Sequence, residues 1–464
     1  MSRASVAIEI AERIHRLRYE DLPAATVAQA KRLILDTLVV AGAGADADGG
    51  EGLRAMALAE GGRGDSTIWG TQERVPATAA TLVNTYAGAA LDFDSLHQSV
   101  HPDSIALAAA LAVGEREHAD GRAVITAFVA GSELICRLAR ASVGPSKGWT
   151  YTAVYGVFGA AAIAAKLGGL DATAMANSFG LALSLAAGSQ QTNVEQVLAK
   201  RLQPALAARN GVFAAALSSA GISAPAQVFE GRFGLWSLYQ PADREALLDG
   251  FGSRFVIEET GLKKYPICAC SHAAVDSLVH IVRLVRERGL AVGDIARIEA
   301  RISPFMDRLV GGAFEPETDP QVVAQFSLRY ALAAMLLRGR IGIAEIQPAA
   351  VRDPAIRAIT DRITVTIDPA NSGELAPATL IVRLRDGTEI RHTQPGMPGD
   401  FENPLGDAEF RAKLEDCARW GTPPSGSERL AVLEQAVDRI ESCADVNDFV
   451  EQLRIPQSRR SESP

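Results

Sequence analysis

The stretch Leu91-Asp92-Phe93-Asp94-Ser95-Leu96-His97-Gln98-Ser99-Val100-His101-Pro102 is the one whose reading decides the rest of the chain. It holds two carboxylates, two imidazoles and a helix-breaking proline. Upstream, 76–90 reads as a helix of small residues. Downstream, 103–117 reads as another, with Asp103 or Ser104 available as its N-cap. The polar cluster therefore sits at a helix-to-helix corner, between flanks too apolar for a surface excursion. Polar groups carried into such surroundings must be hydrogen-bonded or functional. One reading is an Asp–His brace for the corner. The other is one wall of an active site, with His101 as proton carrier and Asp92 fixing its tautomer.

Working outward, almost everything from 4 to 261 keeps helical spacing. Ile10, Ala11, Ile14 and Leu17 fall on one face, as do Ala30, Leu33, Ile34 and Leu38. The segments 76–90, 104–118, 121–142, 152–167, 171–187 and 204–221 are rich in Ala and Gly, which predicts close helix packing. The pattern changes near Tyr265. Residues 296–303, 362–367 and 378–385 alternate with period two, and Asp386-Gly387 marks a hairpin, while 269–288 and 321–337 read as helices. The expected architecture is mainly α. A large all-helical domain (1–265) is followed by a smaller α+β domain (266–395), inserted near the C-terminal third. Helices in 396–456 pack back on the first domain, and 457–464 forms a disordered polar tail.

Composition narrows the function. Among 464 residues the net charge is −9, which argues against nucleic-acid or membrane-surface binding, since both need a cationic face. Five scattered cysteines imply no disulfide framework. The start reads as an amphipathic helix instead of a signal peptide, and the small-apolar run 153–165 is shorter than the roughly 18–20 residues of a membrane span. A cytoplasmic protein is expected. No Gly-x-Gly-x-x-Gly, phosphate loop, His-Glu-x-x-His or Gly-x-Ser-x-Gly is present. Cys268-Ala-Cys270-Ser-His272 lacks a fourth metal ligand at fitting spacing, so no metal site is expected. Lys200-Arg201, Lys263-Lys264 and Thr150-Tyr151-Thr152 are further candidates. Each has a plain alternative as snorkelling cation, solvated turn or aromatic plug.

Taken together, these residues resemble the MmgE/PrpD family. The resemblance is carried by Asp92-Phe93-Asp94 with His101-Pro102, Gly148-Trp149 with Thr152, Lys200 ahead of Ala207-Ala208-Arg209, and Phe229-Glu230-Gly231. It continues through Lys263, Tyr265-Pro266, Cys268 and His272, then Phe326-Ser327 with Tyr330-Ala331, and Asn403-Pro404-Leu405. It implies a homodimer, a helical domain with a small α+β lid over a cleft, no metal or organic cofactor, and a small anionic polycarboxylate substrate. Family chemistry removes a proton or carboxyl group from carbon beside a carboxylate, so cations are needed where negative charge develops. The resemblance places Asp92, His101, Lys200, Lys263 and Cys268 at the family's active-site positions. Together with the candidates read from the residues themselves, the expected catalytic groups are His101, Asp92, Tyr151 and Lys200, and the expected substrate-binding groups are Lys263, Cys268, Thr152, Arg201 and His97.

The departures from the family pattern bear on the reaction. Decarboxylases and many dehydratase-like members carry Gly-aromatic-His-Pro-Thr where this chain has Gly148-Trp149-Thr150-Tyr151-Thr152. With that imidazole missing, two proton-transfer groups on opposite faces of one carbon, His101 or Lys200 against Tyr151, point to an epimerase of the iminodisuccinate type. A 2-methylcitrate-type dehydratase is the alternative, then a cis-aconitate-type decarboxylase. A catalytically silent polycarboxylate-binding dimer is the reading outside enzymology.

Overall fold

The computed structural model describes residues 5–420 and 426–454; the expected tail lies outside the described residues. The fold is mainly α, with a small mixed sheet in the C-terminal part. The helix Asp103–Glu117 lies at the centre, its side chains buried from Asp103 to Glu115. Helices Ala77–Ala90, Gly121–Ala141, Tyr151–Leu167 and Ala199–Ser219 surround it. Glycines set how closely they approach. A Cβ on Gly159 would lie 2.8 Å from the Gly131 carbonyl oxygen, and one on Gly211 would lie 2.4 Å from that of Val157. Any side chain there forces the backbones apart.

The sheet has the order β4-β3-β5-β6. Its strands are β3 (Ile295–Ile302), β4 (Ile363–Ile367), β5 (Ala378–Leu384) and β6 (Glu389–Gln394). β3 runs parallel to β4 and antiparallel to β5, which pairs with β6. The helix His272–Glu287 packs on β5 and β6. The helix Asp407–Trp420 returns to the body against Ala24–Gly44, where Lys413 and Asp36 form a buried ion pair at 2.6 Å.

Two local expectations are corrected. A short antiparallel ribbon, β1 (Ser66–Thr67) with β2 (Arg74–Val75), interrupts the helical half. Pairs of residues are too short to show a period. The helix expected over 321–337 is two helices, Pro320–Gln325 and Leu328–Arg338. Ser327 is extended, and its hydroxyl caps the second helix by accepting from the Tyr330 amide at 3.2 Å. Among the described residues no helix is long and apolar enough to cross a membrane.

Candidate active site

The helix Ala77–Ala90 ends just before the decisive stretch, and Asp92 takes a left-handed conformation with φ +49°. Aspartate tolerates this region better than most residues, and here it turns the chain sharply. Leu96 and Gly261 then exchange two backbone hydrogen bonds, 3.0 and 2.8 Å, which bring the 261–263 segment over the corner. Lys263 is fully buried there. Its ammonium donates to the Asp92 carbonyl at 2.9 Å and lies 3.0 Å from Asp92 Oδ2 and 3.8 Å from Asp94 Oδ1. Lys200, in the first turn of Ala199–Ser219, pairs with Asp92 Oδ1 and stands 5.1 Å from the Phe326 ring centroid. Lys413 closes the underside by donating to the Phe93 carbonyl at 2.8 Å.

Burial alone would raise the Asp92 pKa, but the ammonium groups of Lys200 and Lys263 overcome it and hold the carboxyl well below the usual carboxylate range. Burial likewise disfavours the Lys263 ammonium, and Asp92 and Asp94 overcome that, so its pKa is raised. Two cations thus face two anions. The cluster is nearly neutral before a ligand enters.

His101 is held differently from the sequence expectation. Its Nδ1 lies 2.9 Å from the Ser95 carbonyl and 3.6 Å from Asp94 Oδ1, so Ser95, not Asp92, sets the tautomer. Asp92 is occupied by the two lysines. A carbonyl only accepts, so Nδ1 carries the proton and Nε2 keeps its lone pair. Burial lowers the His101 pKa, Lys263 and Lys200 lower it further, and Asp94 and Asp92 oppose them. The imidazole is neutral at physiological pH, the form a base requires. Ser95 is itself fixed, since its hydroxyl donates to Asp103 Oδ2 while Ser132 donates to Oδ1 at 2.9 Å.

These groups line a cavity of about 110 Å³ with Gln98, Gln190, Asn193, Thr150, Tyr151, Thr152 and Cys268. At roughly 10–15 Å³ of such space per water molecule, it is sized for a small ligand. Thr152 also accepts the His101 amide at 3.1 Å, so it positions the imidazole as well as lining the wall. Tyr151 faces the cavity and stacks on Tyr155, with centroids 5.3 Å apart. Tyr155 bonds Ser142 at 2.6 Å and belongs to the core. The small sheet unit supplies part of the wall, through Phe305, Leu309, Glu374 and Leu375. A larger cavity, about 430 Å³, lies among Leu38, Trp69, Tyr86 and Leu430; its described lining includes no lysine or histidine.

Two expected binding residues fall outside the pocket. Arg201 is wholly buried and donates to Gln321 Oε1 at 2.7 Å and Gln325 Oε1 at 3.3 Å, so it ties two helices together. One position along a helix from Lys200 turns a side chain about 100° away. His97 is buried beside Glu259 and Arg140, and burial lowers its pKa to about 4. Conversely, the chain's role for Ser95, Asp103 and Glu374 had no motif to announce it. For the first two the only signal was their place in the polar corner, six residues before and two residues after His101. Among the described residues no three His, Cys, Asp or Glu side chains are grouped to hold a metal ion.

A helical body and a small mixed-sheet unit meet over a pocket that holds two lysines and a histidine. Comparison with known proteins is consistent with that architecture. The model of the MmgE/PrpD N-terminal domain matches residues 8–245, and that of the MmgE/PrpD C-terminal domain matches 265–439. The chain belongs to the MmgE/PrpD family. It is 26% identical over 470 residues to the cis-aconitate decarboxylase-like protein oryM of Aspergillus oryzae, covering 96% of each chain. It is 26% identical over 463 residues to the cis-aconitate decarboxylase of Homo sapiens, covering 96% of this chain and 94% of that one. With the cis-aconitate decarboxylase of Aspergillus terreus the identity is 24% over 484 residues, covering 98% and 97%.

Proposed function

We propose that this protein is a lyase that acts on a small polycarboxylic acid, and that decarboxylation of an unsaturated tricarboxylate of the cis-aconitate type is the first reaction to test. The observation that carries the reading is the pinned, neutral His101 beside Lys200 and Lys263 in one cavity of about 110 Å³. A substrate carboxylate competes with Asp92 for Lys200, whose side chain is still 15% exposed. The second cation, Lys263, stays in place. Negative charge that develops on the carbon beside that carboxylate is then stabilised by fixed ammonium groups with little reorganisation. His101 Nε2, which keeps its lone pair, is placed to accept a proton from the substrate.

The relatives named above are two cis-aconitate decarboxylases and one decarboxylase-like protein, and their coverage of nearly the whole chain supports a lyase. They lend no support to the epimerase suggested by the 148–152 stretch. The test is a proton NMR assay in heavy water with cis-aconitate, 2-methylcitrate and citrate in turn. The expected result is loss of one carboxyl group from cis-aconitate with deuterium at the product carbon. Loss of water from 2-methylcitrate instead, read as its methyl doublet becoming a singlet on a double bond or as a new vinyl proton, would make the enzyme a dehydratase. Inertness toward all three acids would refute the reading.

A further inference from the structure

Asp92 and Asp94 each have an ammonium group within 4 Å, but another carboxyl that lines the pocket does not. Glu374 lies in the loop 368–377 that joins β4 to β5, and it lines the same cavity as His101, Lys200 and Lys263. Among the described residues it has no hydrogen bond and no ion pair within 4 Å, in contrast to Asp92. The charged and titratable groups around it come from several elements. Arg308 belongs to the helix Pro304–Val310, Tyr151 to Tyr151–Leu167, and Cys270 to the short turn Ala269–Ser271. The cavity is also lined by Lys200, Lys263, Asp92, Asp94 and His101.

We infer that Glu374 is the acid of this site, delivering a proton to the reacting carbon from the part of the wall that the small sheet unit supplies. The inference rests on the lyase reading. In decarboxylation, the bond between the reacting carbon and the leaving carboxylate breaks, carbon dioxide departs, and the electron pair stays on carbon. The Glu374 O–H bond then breaks, its proton forms the new C–H bond, and the carboxylate that remains takes a proton back from water.

The surroundings suit the task. Burial raises the Glu374 pKa to about 7, with Arg308 opposing, so the group is partly protonated at neutral pH. His101, by contrast, is held neutral. Two groups in one cavity whose environments favour an acid at one and a base at the other form an acid–base division of labour. The location also explains why the sheet unit must close the site. The helical side brings base and cations, and the loop of the small unit brings the proton.

The test compares wild type with Glu374→Gln, which keeps size and hydrogen bonding but has no proton to give. Expected are a loss of turnover on the order of 100-fold or more with substrate affinity within about threefold, and, in wild type, turnover that falls as pH rises through about 7. That alkaline limb disappears in the variant's residual rate. Turnover within about threefold of wild type, or an unchanged alkaline limb, overturns the inference. If wild type converts none of the acids, the lyase reading has failed by itself. Glu374 is then judged by the infrared difference spectrum between wild type and Glu374→Gln. A protonated-carboxyl band that fades through about pH 7 and is missing from the variant upholds a proton-bearing Glu374, and no such band overturns it.

Discussion

Two buried charge clusters in this molecule differ in what they leave open. Around Arg137 the guanidinium donates to Glu133 at 2.6 Å and to the carbonyls of Leu247, Asp249 and Arg254 at 3.2, 2.7 and 2.6 Å. Glu133 in turn accepts the amides of Val256 and Ile257 at 3.1 and 3.0 Å. Both side chains are 1% exposed, and every polar atom has a partner within the protein. Around Asp92 the pairing is just as tight on one side, yet Lys200 and His101 remain 15% and 26% exposed to the cavity. Asp94 Oδ1 is buried without a hydrogen bond. A closed cluster holds the fold, whereas an open one has valence left for a ligand.

Breaking the closed cluster gives the largest expected effect. Arg137→Ala strands the Glu133 carboxylate in the core and costs about 3–5 kcal/mol, read as a loss of thermal and urea stability. If that variant were as stable as wild type, the structural reading of this cluster would be wrong.

The next effect comes from a buried group outside both clusters. His97 has a folded pKa of about 4 against an ordinary value of 6.5. Below 6.5 the unfolded chain takes up a proton that the folded chain refuses, so stability falls as pH drops from about 6.5 to about 4. The contribution is about 3 kcal/mol at the acid end. His97→Gln removes this acid-labile share, so the stability of variant and wild type should converge as pH falls. Parallel pH–stability curves would show that His97 does not titrate with folding.

A smaller effect is expected at Ser327, whose cap separates the two helices. Ser327→Ala should cost about 1 kcal/mol and lower turnover through Phe326, which faces Lys200. A stability loss with unchanged turnover would detach this cap from the site.

Most of the helical body was legible because small residues recur at helical spacing, and helices at Asp103–Glu117, Gly121–Ala141 and Asp407–Trp420 fall where that spacing places them. The sheet strands were legible by alternation. The break at Phe326-Ser327 was hidden because the stretches on both sides of the serine read as helix and one residue between them does not disturb the pattern. In the site, Asp92, His101, Lys200, Lys263, Cys268, Tyr151 and Thr152 come to one cavity. Arg201 does not, for the angular reason given above, and His97 is turned away by the tight 97–100 turn, where His97 and Val100 exchange backbone hydrogen bonds at 2.8 and 3.1 Å. Ser95 acts through its carbonyl, which no side-chain pattern reveals. Glu374 arrives on an irregular loop from nearly 300 positions away, and periodicity carries no information about such placements.

The most direct measurement is turnover and folding of Lys200→Ala beside Arg137→Ala, by NMR assay and thermal denaturation on the same preparations. Lys200→Ala is expected to stay folded and lose turnover, while Arg137→Ala loses stability first. A Lys200→Ala protein that keeps near-normal turnover would contradict the central claim that the open cluster does the chemistry.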